Sequence, residues 1–521
     1  MMNMRPALSS VRPSWNVPRA TRALVRVVVF LLAAPFVAVA ADANKPAPLW
    51  LAVGRPPLVQ ALAPLVEERR HEGLEAIVST ATVDAALAAA PRRPRYLLLV
   101  GDDEAGKEAE PWYLQARQRT LYRWQADQPE HFASDSAWGL RGDEPVPDIA
   151  VGRIPARAPQ DVELVVRKIL EFEHQQPTTQ DLQLLIWAGS PQYGPQIDSW
   201  ATGLLVASTV SGAPAWAAPW MLSADPAQPL CGWPPDQPQQ FCRRMRMGGV
   251  CQILMGHGSE QSFFSMVHEG RSIEFTAANA GPELAGGRPT PPLIMLACST
   301  GNLTEASPCL TESLLFMPGG PVAAVGATTY SHPWPNYLVG QSLLWALSQP
   351  ADRLGDFWLA VERHALDARS PLVEHVLLEV EGTLDNPIDE PRLRRDEFLM
   401  YALLGDPATR LRMPQPLRAK LEGTRPPWHW TVERPADAMR LEVEFQEAGR
   451  PALHAGALAA DRDAANAALE RANACFAFQP LASLSAEQPW AGTVEKAEKL
   501  RLVAIAPGKL YVAVLELTAA P

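Results

Sequence analysis

The chain has 521 residues, with 46 Lys and Arg against 57 Asp and Glu, and a formal net charge of −11. Hydrophobic residues make up 47% of it, which is enough apolar material for folded cores and excludes a disordered tail or a collagen. At roughly 150 residues per domain, this length predicts about three folded units.

The start of the chain has the pattern of an export signal. Five arginines and no acidic residue precede an apolar run from Val27 to Ala40, which ends in Ala38-Val39-Ala40. The run is too short to span a bilayer comfortably, and a signal peptidase accepts small residues at such an end. We interpret residues 1–40 as a cleaved signal peptide and expect a periplasmic or extracellular protein. The alternative is an uncleaved anchor.

Removal of this leader changes the charge of what remains. The five arginines are lost, which leaves 41 basic against 57 acidic residues, a balance of about −16. An acidic protein is poorly suited to bind nucleic acid, because neutralising phosphates requires clustered Lys and Arg. No second apolar segment of spanning length follows, so we expect no stable membrane span in the mature form. The sequence does not indicate an oligomeric state.

Residues 48–176 predict a first α/β subdomain. Short apolar runs alternate there with helical stretches, as in a sheet with crossover helices. Strands are predicted at 49–54 and 95–103, with a helix at 57–72. The second strand ends in Asp102 and Asp103, at a position where open α/β sheets bind ligands. The alternative is that these carboxylates cap the next turn.

Residues 180–412 predict a second α/β subdomain, followed by a linker and a β-rich domain over 413–521. Two strongly hydrophobic strands of the second subdomain, at 250–256 and 292–297, end in reactive side chains. In the last domain, three segments alternate with the period of half-buried strands, whereas 461–475 has the pattern of a helix. The predicted β segments are 440–445, 500–506 and 509–517.

His257 follows the first of the two hydrophobic strands, within Gly256-His257-Gly258-Ser259, and Cys298 follows the second. If these strands are parallel neighbours, their carboxyl ends lie side by side, with backbones roughly 4.8 Å apart. An imidazole and a thiol then meet at one cleft. The alternatives are an inert buried thiol and a histidine that caps a turn.

The chemistry that such a pair supports is acyl transfer. Cys298 attacks a peptide carbonyl, His257 transfers the proton to the leaving amine, and water releases the acyl enzyme. The backbone N–H groups of Gly258 and Cys298 are candidates for the oxyanion hole. Ser259 and Ser299 are expected to be turn hydroxyls.

Six stretches in a fixed order resemble the gingipain-type cysteine peptidases. The stretches are YLLLVGD (96–102), PDIAVGRIPA (147–156), ILMGHGS (253–259), PLIMLACSTG (292–301), LTESLLFMPGGPVAAVGAT (310–328) and LLGDPATRLRMP (403–414). The resemblance implies a caspase-like catalytic domain of two α/β subdomains with mostly parallel sheets, then a small immunoglobulin-like domain. It also implies that His257 and Cys298 form the catalytic dyad of a thiol peptidase acting on polypeptides. The family's Trp after the His-Gly-Ser turn is replaced here by Phe263 and Phe264.

Substrate preference is the least determined property. Thr328, Tyr330, His332 and Trp334 follow a strand of the second subdomain, and we predict that they line the specificity pocket. The alternative is that the aromatic side chains pack under the next helix. No carboxylate is assigned to the base of a pocket for Arg or Lys. Asp135 precedes the GRIP stretch, and a purely structural role is at least as plausible for it as a functional one.

The remaining predictions concern cofactors, cysteines and rival functions. Neither CxxC nor HExxH spacing occurs, so no metal site and no cofactor are assigned, and a calcium requirement is left open.

Cys231 and Cys242 flank a Pro-rich loop and are candidates for one disulfide. The rivals to an exported cysteine endopeptidase are a transpeptidase or ligase with the same dyad, and a catalytically silent binding or surface protein on the same fold.

Overall fold

Helices and strands alternate from residue 49 onward, as the hydrophobic pattern predicts. The computed structural model describes residues 46–122, 130–380, 388–423, 425–447 and 461–517. The strands of the α/β part are β1 (Leu49–Gly54), β2 (Glu75–Ser79), β3 (Tyr96–Val100), β4 (Arg117–Leu121), β5 (Glu130–Ser134), β6 (Ala150–Ile154), β7 (Gln183–Ala188), β8 (Ala218–Ser223), β9 (Cys251–Met255), β10 (His257–Gly258), β11 (Ser262–His268), β12 (Arg271–Thr276), β13 (Leu293–Leu296), β14 (Ala324–Ala327) and β15 (Tyr401–Leu404). Its helices are α1 (Pro56–Gln60), α2 (Ala63–His71), α3 (Val83–Ala89), α4 (Pro159–His174), α5 (Pro195–Gly212), α6 (Gln237–Met245), α7 (Ala277–Leu284), α8 (Leu310–Leu315), α9 (Pro333–Ala346), α10 (Leu354–Asp367), α11 (Pro371–Val380) and α12 (Glu390–Met400). The C-terminal part contains β16 (Gln415–Pro416), β17 (Ala419–Glu422), β18 (Trp428–Val432), β19 (Arg440–Gln446), α13 (Arg462–Ala474), β20 (Gln479–Ser485), β21 (Ala491–Val494), β22 (Lys499–Ala506) and β23 (Lys509–Glu516).

One ten-stranded sheet holds both predicted α/β subdomains. Its strand order is β2-β1-β3-β6-β15-β14-β13-β9-β7-β8. The first four strands are mutually parallel, and so are the last five. Between them, β15 runs antiparallel to β14 and meets β6 at one pair, Leu404 opposite Arg153. The expected caspase-like α/β class with mostly parallel strands is confirmed.

The sheet is buried on both faces, which explains the continuous apolar strands. All residues of β1, β3, β6, β8, β13, β14 and β15 are buried, as expected for parallel strands covered by helices. The predicted single helix over 57–72 is instead the pair α1 and α2. Pro64 at the start of α2 explains the break, because a proline lacks the N–H that a continuous helix requires.

The C-terminal part contains two further sheets. A five-stranded sheet has the order β16-β23-β22-β19-β20, and a three-stranded one has the order β17-β18-β21. Their shared core includes Trp428, Trp430 and Leu441. The helix predicted at 461–475 is α13, and Ala47–Pro521 forms one compact unit.

Two sequence predictions concern the ends and the cysteines. The leader over 1–40 lies outside the described residues, and among those that are described no helix has the length and apolarity needed to cross a bilayer. The predicted bridge between Cys231 and Cys242 is wrong, since all six cysteines are thiols. The sulfur of Cys231 lies 4.0 Å from that of Met266, whereas Cys242 packs in the main apolar core of the α/β part.

Candidate active site

The carboxyl ends of neighbouring parallel strands build the site. In the sheet, β9 lies between β13 and β7, and all three are parallel. The last registered pair of β9 and β13 is Met255 opposite Leu296. His257 and Cys298 each follow two residues later, so the register brings them to the same height at adjacent strand ends.

His257 is held by a backbone carbonyl. Its Nε2 lies 2.9 Å from the carbonyl oxygen of Pro191, in the loop after β7. A carbonyl only accepts hydrogen bonds, so Nε2 carries the proton and Nδ1 is the basic nitrogen of the neutral ring. The ring of Phe264 lies edge-on to the imidazole, with centroids 6.5 Å apart.

Cys298 is half-buried, and its thiol contacts Ser331. The Sγ atom lies 3.6 Å from both the carbonyl oxygen and the hydroxyl of Ser331. The Ser331 hydroxyl accepts a hydrogen bond from Asn336 Nδ2 at 2.9 Å, and Asn336 Oδ1 accepts one from the Tyr401 hydroxyl at 2.5 Å. Burial raises the pKa of Tyr401 well above its usual value, so it stays a neutral donor.

Gly258 packs directly against the backbone of Cys298. A Cβ atom on Gly258 would lie 2.7 Å from the Cys298 carbonyl oxygen and 2.9 Å from Cγ2 of Thr300. Glycine is therefore required here for close approach. Ser299, the next residue after the cysteine, has a φ of 55°, a left-handed conformation that is uncommon for a residue with a side chain.

The pairing of β10 with β11 sets the direction of the Gly258 N–H. Ser259 donates its N–H to Ser262 O at 2.8 Å, which makes these two a hydrogen-bonded antiparallel pair. Gly258, opposite Phe263, is then a non-hydrogen-bonded position, because the two kinds alternate. Its N–H points away from β11.

A cavity of about 140 Å³ opens beside the two reactive side chains. His257 and Cys298 both line it, together with Ser331 and Asn336. The remaining wall comes mainly from the loop after β7, from α5 and from α9. The two side chains that the sequence singles out thus share one cleft.

The four residues predicted to form the specificity pocket are not among those that line this cavity. Thr328 is buried and donates to Ala133 O at 2.7 Å. His332 is buried, and its Nδ1 accepts the Trp334 N–H at the start of α9. Trp334 is buried in an apolar cluster, whereas Tyr330 is 62% exposed. For His332 and Trp334 this geometry favours the packing alternative, and the predicted pocket roles of Thr328 and Tyr330 stay predictions.

Ser331 and Asn336 are the polar neighbours of the thiol that the sequence reasoning missed. Ser331 lies inside the loop that was singled out, but at a position between the chosen residues. Pro191 was missed as well, although it follows β7 at the same edge of the sheet. A signal existed for Pro191, since residues directly beyond the carboxyl ends of parallel strands line ligand clefts, whereas Ser331 lies further along its loop and Asn336 lies in α9.

Carboxylates of the first subdomain have structural partners. Asp135 forms a bidentate pair with Arg153 of the GRIP stretch, with two distances of 2.6 Å, and both residues are buried. Asp102 accepts hydrogen bonds from Asp103 N and Arg157, which agrees with the capping alternative. Among the described residues, no group of three or more His, Cys, Asp or Glu side chains is arranged to hold a metal ion.

The other cysteines differ from Cys298 in their surroundings. Burial raises the pKa of Cys231, Cys242 and Cys251 to about 12, and that of Cys309 well above its usual value. Such thiols are inert near neutral pH. Cys475 is half-buried on the C-terminal part.

Comparisons with known proteins agree with this fold. A family model described as peptidase family C25 matches residues 51–412. The crystal structure of the Arg-specific cysteine proteinase gingipain R covers 91% of this chain and 98% of its own, with a TM-score of 0.51 and 13% identity. The complex of the RgpB pro- and mature domains from Porphyromonas gingivalis covers 90% and 99%, with a TM-score of 0.50 and 13% identity. A structure described as a protease covers 91% and 98%, with a TM-score of 0.53 and 13% identity. Comparison with curated proteins gave no match.

Proposed function

The chain belongs to peptidase family C25 and is a cysteine-type peptidase acting on polypeptides, and we propose that it is an exported endopeptidase whose nucleophile is Cys298 and whose acid and base is His257. One observation carries this proposal. The two residues each follow, by two positions, the last registered pair of two adjacent parallel strands, and both line one cavity.

The proposed reaction has two steps. The Nδ1 atom of His257 takes the proton of the Cys298 thiol, the resulting thiolate attacks the peptide carbonyl carbon, an S–C bond forms, and the carbonyl oxygen becomes an oxyanion. His257 delivers its Nδ1 proton to the leaving amine as the C–N bond breaks. In the second step, His257 takes a proton from water, the hydroxide attacks the thioester, the S–C bond breaks to release the acid, and the proton on His257 Nδ1 returns to the Cys298 thiolate. The Pro191 carbonyl oxygen keeps the imidazole oriented throughout, because it accepts a hydrogen bond from the Nε2–H group.

The oxyanion is proposed to bind the N–H groups of Gly258 and Cys298. Support comes from the direction of the Gly258 N–H, which faces away from β11, and from the contact of Gly258 with the Cys298 backbone. Fixed backbone donors stabilise such a charge without reorganisation.

The test compares Cys298→Ala, His257→Ala and the control Cys475→Ala on a mixed peptide library. Both dyad variants should lose turnover by at least about 10³-fold, and the control should cleave like the wild type and remain sensitive to iodoacetamide. Cleavage that survives Cys298→Ala would refute the proposed nucleophile. A folded wild-type protein that cuts nothing would favour the silent binding protein.

Export is the second part of the proposal, and the leader sequence supports it. Mass spectrometry of the protein recovered from the periplasm or medium of an expressing bacterium should show Ala41 as the first residue. Ala40→Phe should block processing, because a signal peptidase requires small residues there. Recovery of full-length protein from the membrane fraction in both cases would support the uncleaved anchor instead.

A further inference from the structure

The cavity beside the dyad is mainly apolar where its wall is formed by residues that the structure describes. None of the described residues that line it is Asp, Glu, Lys or Arg. Apart from the dyad, the titratable side chains among these described residues are the phenols of Tyr193 and Tyr337. The wall is otherwise built mainly from aliphatic and aromatic side chains, among them Trp200, Leu204 and Val373.

Three polar side chains of this wall, those of Tyr337, Thr202 and Asn336, are already paired within the protein. The Tyr337 hydroxyl binds Ser208 and Gln341 at 3.0 Å each. The hydroxyl of Thr202 donates to Asp198 O at 2.7 Å. Asn336 is held by Ser331 and Tyr401, as described above. The wall therefore offers little to solvate an incoming charge.

Two carboxylates on adjoining elements do not line the cavity. The Asp198 oxygens accept hydrogen bonds from the Ser190 hydroxyl at 2.6 Å and from the Tyr193 N–H at 2.8 Å. Glu397 is buried and accepts the His332 N–H at 3.1 Å. An Arg or Lys side chain in the cavity would thus be buried without a carboxylate partner from the described part of the chain, which is strongly unfavourable.

We propose, on the basis of the proposed function, that this cavity binds the side chain on the acyl side of the scissile bond, and that it selects an uncharged apolar residue of moderate size such as Leu or Met. The acyl-side carbonyl must reach the Cys298 sulfur, and the cavity begins at that sulfur. Its volume of about 140 Å³ suits one side chain, since pockets for larger ligands start at about 300 Å³. Trp200 and Leu204 of α5 are the residues that determine the preference.

The experiment uses fluorogenic peptides that differ only at the acyl-side residue, with Leu, Met, Phe, Arg, Lys or Asp at that position. We expect kcat/KM for Leu and Met to exceed that for Arg and Lys by at least about tenfold. Equal or faster cleavage after Arg or Lys would overturn the apolar preference while leaving the thiol mechanism in place. Cleavage of none of the peptides by folded enzyme would overturn the proposed function itself.

Two variants with matched controls assign the preference to α5. Leu204→Asp places a carboxylate at the wall, so the ratio of Arg to Leu cleavage should rise by about tenfold or more. Ala207→Asp, exposed on the same helix, should leave the ratio unchanged. Trp200→Ala enlarges the cavity and should shift the optimum towards Phe, whereas Trp345→Ala, outside the cavity, should not. Equal ratios in Leu204→Asp and Ala207→Asp, with an unshifted optimum in Trp200→Ala, would refute the assignment.

Discussion

The side-chain amide of Asn473 pairs with both backbone hydrogen-bonding groups of Met221. Its Oδ1 accepts the Met221 N–H at 2.7 Å, and its Nδ2 donates to the Met221 carbonyl oxygen at 3.0 Å. Met221 lies in β8, the last strand of the ten-stranded sheet. The amide thus takes the place of a further strand, so α13 of the C-terminal part protects a sheet edge that would otherwise expose unpaired groups.

Replacing Asn473 should therefore destabilise the whole unit. Asn473→Ala leaves the buried N–H and C=O of Met221 unpaired, and we expect a loss of about 2 kcal/mol or more in the free energy of unfolding. Urea denaturation followed by tryptophan fluorescence measures this. The control, Arg471→Ala, is exposed on the same helix and should change the stability by less than about 0.5 kcal/mol. Equal stabilities of the two variants would show that the edge does not depend on the amide.

Gly258→Ala should impair catalysis more than folding. The new Cβ would press on the Cys298 carbonyl oxygen at 2.7 Å, so the thiol and the proposed oxyanion donor both move. A displacement of this kind can cost about 10²-fold in rate, and we expect kcat/KM to fall by that order. Gly281→Ala has open space around the added atom and serves as the control. Wild-type kinetics in Gly258→Ala would contradict the predicted close contact.

The buried pair of Arg153 and Asp135 should be a major contributor to stability. Asp135→Asn removes the charge that compensates a fully buried guanidinium, and breaking such a pair costs about 3–5 kcal/mol. The control variant is Glu433→Gln, which breaks the exposed ion pair with Arg418. It should lower the free energy of unfolding by less than about 1 kcal/mol. Denaturant midpoints of the two variants test the difference. Similar small losses in both would refute it.

The buried carboxyl group of Glu362 should make the free energy of unfolding decrease as the pH rises. Burial on α10 raises the pKa of this carboxyl to about 8 from an ordinary value of 4.5. Between these values the folded protein binds more protons than the unfolded chain, so this group makes stability decrease as pH rises from 4.5 to 8. The slope is at most about 1.4 kcal/mol per pH unit.

Glu362→Gln removes this titration. We expect the variant to gain stability over the wild type progressively from pH 5 to pH 8, as measured by urea denaturation at each pH. A difference between the two proteins that does not change with pH would contradict the raised pKa.

Local sequence patterns predicted most of the individual elements. The helix expected at 461–475 is α13 (Arg462–Ala474), and the strand expected at 49–54 is β1 (Leu49–Gly54), because apolar periodicity and end signals act between near neighbours in the chain. β15 (Tyr401–Leu404) was missed. It has only four residues and directly follows α12, so no turn signal marks its start.

The residues of the candidate site were predicted only in part, because local patterns mark strand ends but not contacts between distant residues. His257 and Cys298 stand out because each follows a hydrophobic strand. Ser331 and Asn336 carry no such mark, since their closeness to the thiol depends on how the loop after β14 folds over the sheet. The sequence left two alternatives open for Trp334, a pocket wall or packing, because an aromatic residue looks the same in sequence whether it faces a cleft or a core; in the structure it is buried among apolar side chains.

By itself the sequence determined the alternation of strands and helices, the six ordered stretches shared with the gingipain-type peptidases, and the two reactive residues at strand ends. Only the tertiary structure decided that both subdomains share one sheet, that all six cysteines are thiols and that the cavity wall has no charged residue among those described. Strand order, burial and pocket lining arise from contacts between residues far apart in the chain. The free energy of those contacts depends on packing in three dimensions, which local composition does not encode.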